Sequence, residues 1–300
     1  MAPLAESRVM RPAYVVTIQT PKLYLLDGLW FGPKKAKRAF IFVHGLTSSA
    51  FTMAHVLDLL VDKKTAVLTF NNRGFKIVSD VKRLNKDGTA VKWRNAGAAH
   101  EVFTECTDDL QGAANFAREQ GAKEIYFVGH STGCQKSIYW AYKNKPRDVR
   151  GIIMLGPLSD YASALAADKN GSLKRAVSFA RSLVKRGKPH ELMPKKYTGP
   201  FLLDAQRFLS LSTPDSAEEI FSYARQSEKR AHALESVKIP LLVFLAGNDE
   251  HAERSAQKIC EWFERHIYTG EVVIIPNVRH SFKGAEKKVA SAIHRFMKES

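Results

Sequence analysis

Five positions in this chain have the types and spacing to do acyl-transfer chemistry. Ser131 sits in Gly129-His130-Ser131-Thr132-Gly133, after an apolar run ending at Val128 and before apolar residues at helical spacing. A Gly-x-Ser-x-Gly between a strand and a helix holds its serine at the tip of a sharp, strained turn, with glycines where chain must pass close to chain. A free serine is a weak nucleophile, so the placement has meaning only if a base and an orienting acid lie elsewhere. His280, in Asn-Val-Arg-His-Ser-Phe, follows one late apolar run. Asp249, in Leu-Ala-Gly-Asn-Asp-Glu, follows another. The chain order serine, acid, histidine is that of one known arrangement of this relay. His280 would take the serine proton and return it to the leaving group, while Asp249 holds the imidazole and stabilises its cation. The developing oxyanion needs donors, and the backbone N–H groups of Thr132 and of Leu46, after His44-Gly45, are expected to supply them.

These residues must be positioned by a sheet. Segments 14–18, 23–31, 39–43, 66–70, 124–128, 151–155, 240–245 and 271–275 read as strands, with Asp27-Gly28 as a hairpin turn signal within the second. Helices are expected over 51–61, 101–120, the stretch after Ser131, 251–263 and 285–297. Segment 75–99 dissolves into polar residues and reads as a long loop. Strands alternating with helices imply an α/β fold, a mostly parallel, doubly wound sheet with helices on both faces. Right-handed crossovers put the strand C-terminal ends, where ligands bind, on one edge. No strand pattern occurs between 160 and 238, where Leu173, Ala176, Val177, Ala180, Leu183 and Val184 form one helical stripe opposite basic residues, and 215–230 also reads as helix. We therefore expect a core over 1–156 and 238–300, with residues 157–237 inserted after the sixth strand as a helical cap. The basic amphipathic helix is read as a lid facing the pocket rather than as a membrane-surface helix.

Phe42-Val-His-Gly45, Phe70-Asn-Asn-Arg-Gly74, the serine motif, Gly247-Asn-Asp249 and Arg279-His-Ser-Phe282 occur in an order and spacing that resembles the α/β-hydrolase superfamily over nearly the whole chain. Gly-His-Ser-Thr-Gly-Cys-Gln, with Glu-Leu-Met-Pro at 191–194, is also similar to a fungal and plant branch that includes siderophore esterases, which implies ester hydrolysis in an iron chelator or related polyester. The expected activity is hydrolysis of a carboxylic ester through an acyl-enzyme, falling off as pH drops and His280 charges. Amide, thioester or carbon–carbon hydrolysis, and a ligand-binding protein without turnover, use the same architecture and stay open.

Several bland readings sit beside these. Asp160 and Glu250 are the other acids considered for the relay. Cys134, inside the elbow helix, reads as a small core residue, and His251 and His266 read as solvated. Arg73 reads as a structural ion-pair partner and Asp108-Asp109 as helix-face or capping residues. The 300 residues, 45% hydrophobic, suffice for a substantial core. A leader or a membrane-spanning run is not evident, and cysteines 106, 134 and 260 lack disulfide or zinc-motif spacing, so a cytoplasmic protein with reduced thiols is expected. The net charge of +16 favours anionic partners, yet the basic residues are dispersed and no nucleic-acid motif accompanies them, so a small-molecule ester is the expected partner. No cofactor or metal motif appears.

Overall fold

The computed structural model describes residues 12–224 and 231–299. In chain order the elements are β1 (Ala13–Gln19), β2 (Tyr24–Phe31), β3 (Arg38–Val43), α1 (Ala54–Leu57), β4 (Thr65–Phe70), β5 (Ser79–Leu84), β6 (Val91–Ala96), α2 (Cys106–Glu119), β7 (Glu124–His130) and α3 (Thr132–Asn144). Then come β8 (Val149–Leu155), α4 (Asp160–Ala166), α5 (Ser172–Lys185), α6 (Lys195–Thr198), α7 (Ala205–Ser212), α8 (His232–Glu235), β9 (Leu241–Ala246), α9 (Ala256–His266), β10 (Gly270–Ile275) and α10 (Glu286–Glu299).

One ten-stranded sheet runs β10-β9-β8-β7-β3-β4-β2-β5-β6, with β1 paired to β2. The segment from β10 to β4 is parallel throughout, and the remainder is antiparallel. The chain goes from β3 outward to β4 and later returns to the other side of β3 as β7. Winding therefore reverses between β3 and β7, which opens a crevice beyond their C-terminal ends. The loop 44–46 leaves β3 at that point and Ser131 leaves β7.

Period-two alternation on β3 divides the core. Ala39, Ile41 and Val43 pack with Leu110 of α2, Ile138 and Trp140 of α3 and Phe263 of α9. Phe40 and Phe42 pack with Val56 of α1 and Val289, Ile293 and Phe296 of α10. Both faces are covered, which explains why the parallel strands read as unbroken apolar runs.

Four expectations need correction. The polar segment 75–99 contains β5 and β6, antiparallel and paired in register from Ser79–Ala96 to Leu84–Val91. At a sheet edge no apolar face is required, and charged edge residues discourage pairing with other chains. These two strands make the insertion follow the eighth strand in chain order rather than the sixth. Asp27-Gly28 lies within β2, and the hairpin turn is at 20–23. The Gly28 signal has another cause: a Cβ there would come within 2.6 Å of the Thr69 carbonyl oxygen across the β2–β4 pairing. Residues 215–224 form no regular helix, and 225–230 lie outside the described residues. Finally, the expected helix over 51–61 is only the short α1 followed by a 3-10 turn at Asp58–Leu60; Met53 caps it without a side-chain hydrogen bond.

Arg73, just after β4, holds the loop that follows. Its Nε donates to Asp109 Oδ1 at 2.7 Å, Nη1 to Glu105 at 2.9 Å, and Nη2 to the Glu105 carbonyl at 2.6 Å and to Asp108 at 3.3 Å. The Asp109 carboxylate also accepts the Arg73 backbone N–H. Burial pushes Asp109 up to about 6 even though the guanidinium pulls the other way, so without Arg73 this carboxylate would be stranded. Arg73→Ala is expected to destabilise the fold by about 3–5 kcal/mol, read as a lower urea midpoint; a loss under about 1 kcal/mol would show that the network contributes little.

Candidate active site

Ser131 has φ 54° and ψ −128°, a conformation that costs an ordinary residue on the order of 1–3 kcal/mol. The turn closes through Ser131 N–H to the Leu155 carbonyl at 3.0 Å and Cys134 N–H to the Ser131 carbonyl at 2.9 Å. Neither flanking glycine has room for a side chain. A Cβ on Gly133 would lie 2.0 Å from the Val43 carbonyl oxygen, and one on Gly129 would lie 2.6 Å from the Gly133 carbonyl oxygen. The start of α3 thus rests on the end of β3.

Asp249 and His280 come from the loops after β9 and β10, which are tied together by Gly247 N–H to the Ile275 carbonyl and Asn248 N–H to that of Val278. His280 Nδ1 and Asp249 Oδ2 are 2.7 Å apart, and the other Asp249 oxygen accepts the His251 N–H at 3.0 Å. With Nδ1–H donating to the carboxylate, Nε2 keeps the lone pair of the neutral ring. The His280 backbone is held at both ends: its N–H donates to Glu250 Oε2 at 2.9 Å, and its carbonyl accepts from His130 Nε2 at 3.0 Å. Ser131 and His280 line one cavity of about 650 Å³, together with Gly45, Leu46, Thr132 and His251. No Ser131–His280 hydrogen bond is formed among the described residues.

The loop carrying Leu46 is fixed by His44. Its Nδ1–H donates to the Gly45 carbonyl at 2.9 Å, and Nε2 accepts the Asn72 N–H at 3.2 Å. Burial, with the nearby Lys136 charge, takes His44 down to about 3. His130 is likewise taken down to about 4 by burial and by His280. Both rings are therefore neutral scaffold at ordinary pH.

The other sequence candidates separate from the relay. Asp160 lines the cavity, but its carboxylate meets Gln135 Nε2 at 3.3 Å, and burial beside Glu218 raises it well above the usual carboxylate range. Glu250 braces the His280 backbone. Cys134 is fully buried, with its thiol pushed far up by burial. His266 stacks on Trp262 at 4.4 Å. His251 differs from expectation: α9 starts at Ala256, capped by Ser255, so His251 sits in the preceding loop with its ring 4.9 Å from that of His280.

Sequence reading passed over Lys136. Its Nζ is fully buried on α3, 2.5 Å from Glu101 Oε1 and 3.1 Å from Asn72 Oδ1. Glu101 also pairs with Arg207 of α7 at 3.0 Å, and Arg207 pairs with Glu218 through both Nη atoms. The chain itself carries no signal for this pairing, because Glu101 and Asn72 lie far from Lys136 in sequence.

A family model described as a protein of unknown function (DUF1749) matches residues 30–298. The chain belongs to this family. No curated protein matches it by sequence. Among solved structures, this DUF1749 member is similar to a siderophore hydrolase, EstB, from Aspergillus fumigatus, with TM-score 0.68, 17% identity, and coverage of 97% of this chain and 99% of that one. It is also similar to the Pyrococcus furiosus esterase Pf2001 (TM-score 0.60, 17% identity, 100% and 94% covered). Est1E from Butyrivibrio proteoclasticus, with ferulic acid bound, gives TM-score 0.61 at 16% identity, with 95% and 98% covered. The fold is the α/β-hydrolase fold. No helix among the described residues is long and apolar enough to cross a membrane.

Neutral burial of His130 has a measurable consequence. Between about pH 4 and the ordinary histidine value of 6.5 the unfolded chain binds a proton that the folded chain refuses, so stability falls as pH drops through that window. His130→Gln, which keeps a donor toward the His280 carbonyl, should remove roughly 2–3 kcal/mol of this acid sensitivity. Tm against pH should then be flatter for the variant between 6.5 and 4, and parallel curves would show that the ring charges freely in the fold.

Proposed function

We propose that this protein hydrolyses carboxylic esters through an acyl-enzyme on Ser131. The observation that carries the reading is the 2.7 Å contact of His280 Nδ1 with Asp249 behind a cavity shared with Ser131. With Nδ1 committed to the carboxylate, Nε2 is the atom to take the Ser131 proton as Oγ attacks the ester carbonyl. The serine–imidazole hydrogen bond forms on substrate binding, as catalytic hydrogen bonds tighten in the Michaelis complex. Oxygen charge in the tetrahedral intermediate is met by the N–H groups of Leu46 and Thr132. The Thr132 N–H, first in α3, has no intrahelical acceptor and sits at the positive end of the helix. His280 then protonates the leaving alcohol, and a water deprotonated by Nε2 releases the acid. The similarity to the Pyrococcus furiosus esterase and to a siderophore hydrolase supports an ester over the other bonds such a relay attacks.

Residues 157–237 are read as the cap over a core of 1–156 and 238–300. Leu173, Ala176, Phe201, Leu203, Phe208 and Leu211 from this insertion line the cavity, so the substrate we infer is an ester with an extended apolar body. Among the described residues Lys196 is the one Lys or Arg in the lining, against Asp160 and Asp168.

The test is turnover of a chromogenic acyl ester series of increasing chain length, with a siderophore ester in the panel. Ser131→Ala should lower kcat by about 10³-fold or more with KM little changed, and a fluorophosphonate probe should label wild type but not the variant. Equal turnover by the variant would end this proposal, and an unreactive serine would favour a ligand-binding protein.

A further inference from the structure

His100, on the loop after β6, and His190 and Asp204, flanking α6 in the insertion, meet although far apart in the chain. Asp204 Oδ2 lies 3.0 Å from His100 Nδ1 and 2.8 Å from His190 Nδ1, and the three atoms all lie within 4.8 Å of one another. None of the three residues lines the cavity holding Ser131. Asp204 is fully buried, and its second oxygen is spent on the Arg207 N–H at 2.8 Å as the cap of α7. Its Oδ2 therefore points into the gap between two imidazoles. Among the described residues its carboxylate has no Lys or Arg partner, because nearby Arg207 is held by Glu101 and Glu218. A buried carboxylate needs compensating charge, and here only the imidazoles or a cation between them can supply it.

We propose that His100, His190 and Asp204 bind a divalent transition-metal ion of the zinc type, clamping the insertion to the core. Two imidazoles and one carboxylate suit zinc and its neighbours and poorly suit calcium or magnesium. Bonds of about 2.0–2.1 Å in a tetrahedral shell place ligand atoms about 3.3 Å apart; the two Asp204–imidazole spacings of 3.0 and 2.8 Å are already near that value, and the two imidazole nitrogens, within 4.8 Å of each other, would close on the ion. Neutral imidazoles bind through the Nδ1 lone pair, each ring moving its proton to Nε2; the fourth position is left to water. His190 is exposed and gives the ion access from solvent, while Asp204 anchors it from below. The role is structural: Asp204 N–H donates to the Ala99 carbonyl at 2.9 Å and Asp204 begins α7, so the ion would add a second tie at the place where the insertion already meets the core. This inference does not rest on the reading of Ser131.

The test uses the full chain, stripped of metal with a chelator that is then removed, and titrated with zinc chloride by calorimetry. One equivalent should bind, Tm should rise with free zinc, and cobalt substituted for zinc should give the intense visible bands of a four-coordinate site. His190→Gln keeps a hydrogen-bond donor for Asp204 but removes a ligand from an exposed position where folding is not at stake. It should weaken zinc binding by at least about 100-fold, more than the loss of an outer-shell partner, and abolish the cobalt bands. No stoichiometric binding by wild type, or equal binding by His190→Gln, would overturn the site.

Discussion

The close seating of the start of α3 on the end of β3 is the constraint on which the site depends. With Gly133 against the Val43 carbonyl, the turn at Ser131 and the loop from His44 to Leu46 are forced into one small volume at the point where winding reverses. The seat also explains why positive φ is tolerated at Ser131. The local strain is of order 1–3 kcal/mol, whereas α3 buries Ile138 and Trp140 completely, and each such side chain stabilises by about 1.5–3 kcal/mol. Packing further along the helix thus holds the strained residue in place.

Around this seat the structure uses buried charge as its second fastening. Arg73 gathers Asp109, Glu105 and Asp108 beneath the loop after β4, and Asn72 in that loop holds His44 on one side and Lys136 on the other. Lys136 meets Glu101, Glu101 meets Arg207, and Arg207 meets Glu218. A continuous line of ion pairs and hydrogen bonds therefore runs from the Leu46 loop through α3 to the insertion. Buried pairs of this kind add little net stability compared with apolar packing, but removing one member strands the rest.

Much of this was legible in the chain because it is local or periodic. The parallel strands, buried on both faces, announce themselves as apolar runs. The serine motif carries its own context of strand, turn and helix, and the histidine and acid each follow a recognisable late strand. What escaped depends on tertiary placement. β5 and β6 lie at an edge where water accepts lysines and arginines, so their composition looks like loop. The distance between Gly28 and Thr69 cannot be read from a sequence in which Asp-Gly suggests a turn. His251 was assigned to a helix that in fact begins five residues later. Lys136 reads as an ordinary helix lysine until Glu101, far back in the chain, is seen to face it.

The same reasoning explains why the cluster of His100, His190 and Asp204 was silent. Motif recognition of metal ligands relies on short spacings that put two donors on one turn or one helix face, and here the separations are set by the fold. Tertiary placement likewise decides how residues 157–237 are held. They meet the rest of the chain in two ways: Ala162, Ile220, Phe221, Tyr223 and Leu234 belong to the main core cluster beside the sheet, whereas Ala180, Leu183, Phe208 and Leu211 form a small cluster of their own. Two ties of that separate part to the core, Arg207 to Glu101 and Asp204 to the His100 loop, are electrostatic and originate at α7, the helix that brings Phe208 and Leu211 to the cavity. The segment is thus anchored by apolar burial where Phe221 and Tyr223 enter the main core, and the wall it places over the cavity is held in register by directional contacts at α7.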